Sequence, residues 1–323
     1  VPGSSNSLLS KPKLAISACL LGEEVRFNGG HKRSQRCKEL SDYFEFVPVC
    51  PEVAIGLGTP REAIRLVGDP SAPRAMNSRD QRNDYTDALA EFGERMAGAL
   101  DDICGYILMQ KSPSCGLERV KVYQANGLPA EGGGQGIYTK AFQAHWPNLP
   151  MEEEGRLNDP VLRENFITRV YAYAEWQTLQ FQGVSRHALL QYHARYKYQL
   201  MAHNPEQYRE LGRMLGQSLT EATLPAVADL YFSRLMSALK RCATRGTHTN
   251  VLQHLSGYLK RVLDADEREE MHDLIMQYQE GIVPLIVPLT LLKHHLRRHP
   301  DQYVANQAYL QPHPEPLSLR NAI

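Results

Sequence analysis

The sequence predicts an α/β domain with a mainly parallel sheet, followed by an all-α helical domain. Three observations carry that prediction: short apolar runs alternate with amphipathic segments over the first half, glycine and proline cluster there at turn positions, and strand signals nearly vanish after residue 185. Element by element, Leu14 to Ser17 reads as a strand running into Cys19, and Ser34 to Phe44 as an amphipathic helix. Phe44 to Val49 reads as a second strand, ending at Cys50. A turn-rich stretch, Gly56 to Pro60, follows it. Asp84 to Leu100 is expected to be helical, and Tyr106 to Met109 to form a strand that leads into the loop Lys111 to Cys115. The segment Gly132 to Gly136 lacks the Gly-Lys-Ser/Thr ending of a phosphate-binding loop and is expected to be a mobile loop near the site.

Asp159 followed by Pro160 has the form of a helix N-cap and first turn, opening a helix that runs towards Phe181 and breaks at Gly183. Helical spacing then recurs over 186–202, 205–217, 220–244, 247–263, 266–280 and 288–299. The expected domains are 1–183 and 184–323, with residues 1–12 an expression remnant and flexible arm.

The chain has 323 residues, with 36 Lys+Arg against 36 Asp+Glu, so no global charge points to a nucleic-acid partner. The distribution is uneven. Residues 186–261 carry 11 Lys+Arg against 4 Asp+Glu, while residues 1–184 carry 20 against 23. A locally basic helical region is compatible with phosphate contacts and equally with a solvated basic face. The start has no signal-peptide pattern, and the apolar stretch Ile282 to Leu292 contains Pro284 and Pro288 and falls short of the ~20 residues a membrane helix needs. A cytoplasmic protein with reduced thiols is expected, since six cysteines in a chain of this length do not make a disulfide framework.

Cys19, Cys50 and Cys115 each stand at or just beyond the end of a strand-like run. If the strands are parallel, the three thiols share the sheet edge where open α/β folds place their ligands. Three thiolates without a fourth suit an iron-sulfur cluster with one open iron. Zinc is the first competitor, yet structural zinc sites usually show close Cys-x-x-Cys or His pairs, and buried unliganded cysteine is also common. Glu52, two residues beyond Cys50, and Ser112 and Ser114, just before Cys115, would add a carboxylate and hydroxyls suited to hydrolysis.

The segments AISACLLGEEVRFNGG, VPVCPEVAIGLGTPRE and KSPSCG, in this order, resemble the bacterial thiouracil desulfidase family. HARYKYQLMAHNPEQYRELGRMLG resembles the helical domain fused to it in two-domain desulfidases that remove sulfur from 4-thiouridine in tRNA. The resemblance implies that Cys19, Cys50 and Cys115 hold a [4Fe-4S] cluster and that Glu52 and Ser112 are catalytic. Cys37, Cys104 and Cys242 have no matching role. Water would attack C4 of the thiolated ring, with Glu52 activating it and Ser112 relaying a hydrogen bond to substrate or to Glu52, the two roles being exchangeable. Uridine and hydrogen sulfide would result without net redox. Arg186, Arg195, Lys197, Arg209, Arg213, Lys240, Arg241 and Arg245 are the candidate RNA contacts. The competing functions are salvage of free thiouracil or 4-thio-UMP and an iron-sulfur sensor, the latter having no need of an acid/base pair.

Overall fold

The computed structural model describes residues 11–124, 126–217, 219–317 and 319–323. The chain divides into two compact units, Val1–Asn158 and Asp159–Ile323. Of the expected arm, residues 1–10 lie outside the described residues. Pro12 is already part of the fold, its carbonyl accepting from Glu45 N at 3.1 Å.

In the first unit, β1 (Lys13–Ser17), α1 (Gln35–Leu40), β2 (Glu45–Val49) and α2 (Pro51–Ala54) come first. They are followed by β3 (Ile64–Val67), β4 (Arg74–Asn77), α3 (Thr86–Ala99), β5 (Gly105–Leu108), β6 (Val122–Tyr123), α4 (Ile137–His145) and β7 (Met151–Glu153). The main sheet has the order β2-β1-β5-β7 and is parallel throughout. β1 and β5 are buried on both faces, which is why their sequences read as continuous apolar runs rather than alternating ones. Tyr106 of β5 meets Tyr138 and Phe142 of α4 edge-on, and the Tyr106 and Tyr138 hydroxyls bond at 3.1 Å.

A second sheet, β4-β3-β6, was not visible in the sequence. β3 pairs antiparallel with β4 and parallel with β6. Its strands have two to four residues each, too short for a period-2 pattern to emerge, and two of them carry arginine or asparagine. Leu66, Ala75 and Val122 nevertheless bury a small core with Leu89 of α3 and Ile137 of α4.

The second unit is helical: α5 (Pro160–Gln182), α6 (Arg186–His203), α7 (Pro205–Leu215), α8 (Leu224–Leu239), α9 (Arg245–Ser256), α10 (Ala265–Glu280), α11 (Ile286–Arg298) and the short α12 (Gln302–Ala305). Asp159 caps α5 as expected, accepting from Val161 N and Leu162 N. The helix itself belongs to the second unit. Its Trp176 stacks on Phe232 of α8 at 4.6 Å and 4°, and Tyr192 of α6 meets the indole edge-on. The unit boundary therefore falls at Asn158/Asp159, and the turn at Gly183 is a corner inside the helical unit rather than a linker. Among the described residues, no helix is long and apolar enough to cross a membrane.

One buried polar network ties the end of the chain to α5. Glu164 is almost fully buried and accepts from Arg320 Nε at 3.1 Å, with His313 Nε2 at 3.7 Å. Burial works to raise the Glu164 pKa, but His313, Arg320 and His203 overcome it and hold the carboxyl far below the usual range. A carboxylate with a depressed native pKa contributes stability at pH values above its unfolded pKa, and that contribution is lost as the pH falls towards the native value. We expect Glu164→Ala to cost roughly 3–5 kcal/mol at neutral pH, because it strands the buried Arg320 charge. The deficit relative to wild type should narrow in acid, as followed by chemical denaturation between neutral and acid pH.

Candidate active site

The parallel register sets the site. Ser17 lies opposite Val49, and Ile16 lies opposite both Pro48 and Ile107, so β1, β2 and β5 end at one edge. Cys19 follows β1 in a 3-10 turn, Cys50 follows β2 as the N-cap of α2, and Cys115 closes the loop after β5. All three line a single pocket of about 440 Å3, together with Glu52 and Ser112. The five residues expected to carry the chemistry are thus brought together.

Cys19 and Cys115 are 8% and 7% exposed, while Cys50 is half-buried. Burial pushes the Cys19 thiol up to about 11, and a negative charge on Cys50 adds to the rise. Cys115 is raised further, first by burial and then by Glu52, Cys50 and Cys19. A charge on Cys50 therefore reaches both other thiols. Each approaches from a different strand end, and among the described residues no three Cys, His, Asp or Glu side chains gather tightly enough to share one metal ion.

Glu52 is gripped from two sides. Arg61 Nε and Nη2 both donate to its Oε2, at 2.9 and 2.6 Å, and Ser114 Oγ donates to Oε1 at 2.8 Å. Arg61 also donates to the carbonyls of Val25 and Gly58, so one guanidinium joins the Cys19 and Cys50 loops. The chain returns Arg61 to Glu52 through a turn with Gly58 at φ +62°, a left-handed conformation natural to glycine.

The sequence allows Ser112 to relay a hydrogen bond to substrate or to Glu52; the serine bonded to Glu52 is the fully buried Ser114. Ser112 Oγ instead accepts from Ser114 N and Cys115 N, at 3.3 and 3.0 Å, which shapes the turn and leaves its hydroxyl hydrogen for the pocket. That turn begins at Lys111 with φ +61°, a conformation that costs a non-glycine residue roughly 1–3 kcal/mol and is held by its surroundings. Glu154 Oε2 accepts from Gln110 N on one flank. On the other flank, Glu153 Oε1 accepts from Leu117 N and Glu118 N. Ser17 Oγ accepts from Met109 N. Neither Glu153 nor Glu154 had a signal in sequence, where MEEE is indistinguishable from a solvated acidic run.

The glycine-rich segment lies beside the site loop, with Gly132 and Gly133 exposed and Gly134 and Gly136 buried. Gly134 exchanges two backbone bonds with Val120, and Gly136 N donates to Gly116 O at 2.8 Å. Of the remaining cysteines, Cys37 and Cys104 are buried outside the pocket lining, as expected of core thiols.

The basic candidates of the helical unit fall into two groups. Arg186, Arg209, Arg213, Lys240 and Arg241 are exposed. Arg195 instead pairs with Glu175 and donates to Asn306 O, and Lys197 lies over the rings of Tyr198, Tyr208 and Tyr303. Arg245, although exposed, donates to Tyr278 O and lies over its ring.

A parallel α/β unit with a thiol-lined pocket at its carboxyl edge, joined in one chain to a helical unit, defines the class of protein. The sequence model of the 2-thiouracil desulfurase family matches residues 14–154, and that of a family of unknown function, DUF1722, matches residues 197–314. The chain is 33% identical over 159 residues to the uncharacterized protein YbgA of Escherichia coli (strain K12), covering 49% of this chain and 94% of that one. It is 32% identical over 109 residues to the uncharacterized protein YbbK of Bacillus subtilis (strain 168), covering 32% of this chain and 72% of that one. Among solved structures, the [4Fe-4S]-dependent thiouracil desulfidase TudS is 28% identical, covering 46% of this chain and 94% of that chain, with a TM-score of 0.37. Residues 14–154 thus carry the sequence pattern of the 2-thiouracil desulfurase family.

A methyl group at Gly136 would lie 2.4 Å from the Ser114 carbonyl oxygen, in the backbone of the cysteine loop. Gly136→Ala should therefore cost about 1–3 kcal/mol. It should also speed alkylation of Cys115 in the reduced protein, as read by denaturation and mass spectrometry.

Proposed function

We propose that the chain is a [4Fe-4S]-dependent desulfidase that removes sulfur from thiolated uracil, with 4-thiouridine in tRNA as its substrate. The observation that carries this reading is the convergence of Cys19, Cys50 and Cys115 with Glu52 on one pocket at the sheet edge. The donor set suits the cluster. Three thiols that line one pocket yet approach from separate strand ends fit a centre whose donors each take a different iron. When bound, the cluster supplies a soft Lewis acid for a thione sulfur.

The chain's own residues do the rest. Glu52, immobilised by Arg61 and Ser114, is placed to take the proton of the attacking water. Ser112, its oxygen occupied by two amides, donates its hydroxyl hydrogen to substrate. Arg26, Lys32 and Lys111 also line the pocket, and with Glu52 already neutralised by Arg61 they leave it cationic. That charge favours a phosphate-bearing substrate, nucleotide or RNA, over free thiouracil. The exposed cations Arg209 and Arg213, one helical turn apart on α7, favour RNA over the mononucleotide 4-thio-UMP. The RNA step belongs to the helical unit, as the chemistry does to the first.

Anaerobic reconstitution tests the centre. Alanine at Cys19, Cys50 or Cys115 should abolish iron and sulfide binding, while serine at Cys37, Cys104 or Cys242 should not. A colourless protein with stoichiometric zinc would refute the assignment. Glu52→Gln should retain iron yet lose roughly 100- to 10,000-fold in sulfide release. Loss of iron in that variant would make Glu52 a structural residue. Charge reversal of Arg209 with Arg213 should weaken tRNA binding and lower the salt slope by roughly 1.4–1.8 if both contact phosphates, with turnover of 4-thio-UMP unchanged. Equal tRNA affinity would turn the reading to nucleotide salvage.

A further inference from the structure

The helical unit contains a second open concavity, of about 700 Å3, between α5, α6 and the segment 302–307. Its charges cancel internally. Arg195 Nε binds Glu175, Arg195 Nη1 donates to Asn306 O at 2.9 Å, and Tyr196 OH donates to Glu175 Oε2 at 2.8 Å. The remaining polar lining is neutral amide and hydroxyl: Thr178, Gln182, Gln191, Gln302 and Gln307 among them. Gln307 is 3% exposed; its Nε2 donates to Ala194 O and Tyr303 O, and its Oε1 is a buried acceptor with no donor. At one end stands Tyr303, 37% exposed, its ring centroid 5.9 Å from that of Tyr258, which is 42% exposed. The Lys197 ammonium lies 5.8 Å from the Tyr303 centroid.

A neutral, hydrogen-bonding hollow beside an exposed aromatic face suits a planar polar ligand better than a phosphate or an acidic peptide. We propose that this concavity holds one unpaired base of the bound RNA, separate from the base that reacts. Tyr303 is its stacking face, and the Arg195 guanidinium and surrounding amides meet its polar edge. RNA without sequence-regular helix is recognised through such splayed bases, and the stacking step adds affinity that charge alone does not supply. The proposal rests on the RNA reading given above and adds the place where the RNA is gripped by shape.

The test uses the full chain, with fluorescently labelled tRNA and an oligouridine as probes over a range of salt. Tyr303→Ala should weaken binding roughly 5- to 100-fold, whereas Tyr303→Phe, which keeps the ring, should bind within a few fold of wild type. The salt slope of Tyr303→Ala should match wild type, because a ring neutralises no phosphate. Thr178→Trp, which fills the concavity from an exposed position, should weaken binding without touching the tyrosines, and it carries the test if Tyr303→Ala melts early. If wild type binds tRNA and both variants bind equally well, the concavity is not an RNA site and serves another partner, such as a protein. A salt slope reduced by about one in Tyr303→Ala would make the contact electrostatic and overturn stacking. If wild type binds neither probe, the RNA reading itself fails, and the base site with it.

Discussion

Parallel pairing of β1 with both β2 and β5 is the constraint on which the active site depends. Because all three strands point the same way and end within a residue or two of one another, whatever follows them shares one edge of the sheet. A one-residue slip in either pairing would turn the ends of the strands to opposite faces and scatter the thiols. The doubly buried apolar character of β1 and β5 resists such a slip, since every inward side chain on either face would lose its packing. The polar groups of the site then perform a second task, holding loops whose own backbones are not regular. Ser17 ties β1 to the start of the cysteine loop, Glu153 and Glu154 hold the flanks of that loop, and Arg61 joins Glu52 to the carbonyls of Val25 and Gly58.

What was legible in the sequence follows from that division. Cysteines at the ends of apolar runs are visible because a strand and its terminus are local features, and the parallel arrangement needed only the alternation of strand and helix. The positions of Glu52 and Ser112 beside two of those cysteines made them candidates without any knowledge of distance. The partners of these residues were hidden because they are made by turns. Arg61 reaches Glu52 only after the chain reverses at Gly58, and the tight turn around Ser112 is what sends Ser114, not Ser112, to the carboxylate. The second sheet was hidden for a different reason. Strands of two to four residues carry too few side chains for periodicity, and their core is completed by α3 and α4 rather than by one another.

The same distinction applies to charge in the helical unit. An excess of basic residues over 186–261 is a compositional fact, but composition does not say which cations face water. Arg195, Lys197 and Arg245 are held by a carboxylate, by tyrosine faces and by a carbonyl with its aromatic ring. A cation so held has part of its charge already answered, and it gains less from a phosphate than one without such partners does. The group Arg186, Arg209, Arg213, Lys240 and Arg241 is exposed, and it is where the RNA contacts of the proposed function would fall.

Recognition and chemistry then impose opposite demands on polar groups. Around the cysteines, Arg61 neutralises Glu52 while leaving Arg26, Lys32 and Lys111 uncompensated at the pocket wall, so the net field invites an anion. In the helical concavity, Glu175 cancels Arg195, and the field is nearly neutral. A charged ligand group gains from the first pocket and little from the second; a flat, uncharged, hydrogen-bonding one gains from the second. An RNA substrate offers both kinds of group on a single molecule, phosphates and splayed bases, whereas a free base offers only one. Under the function proposed above, two pockets of unlike polarity, each built by ion pairs within its own unit, would each meet a different part of one polymeric substrate.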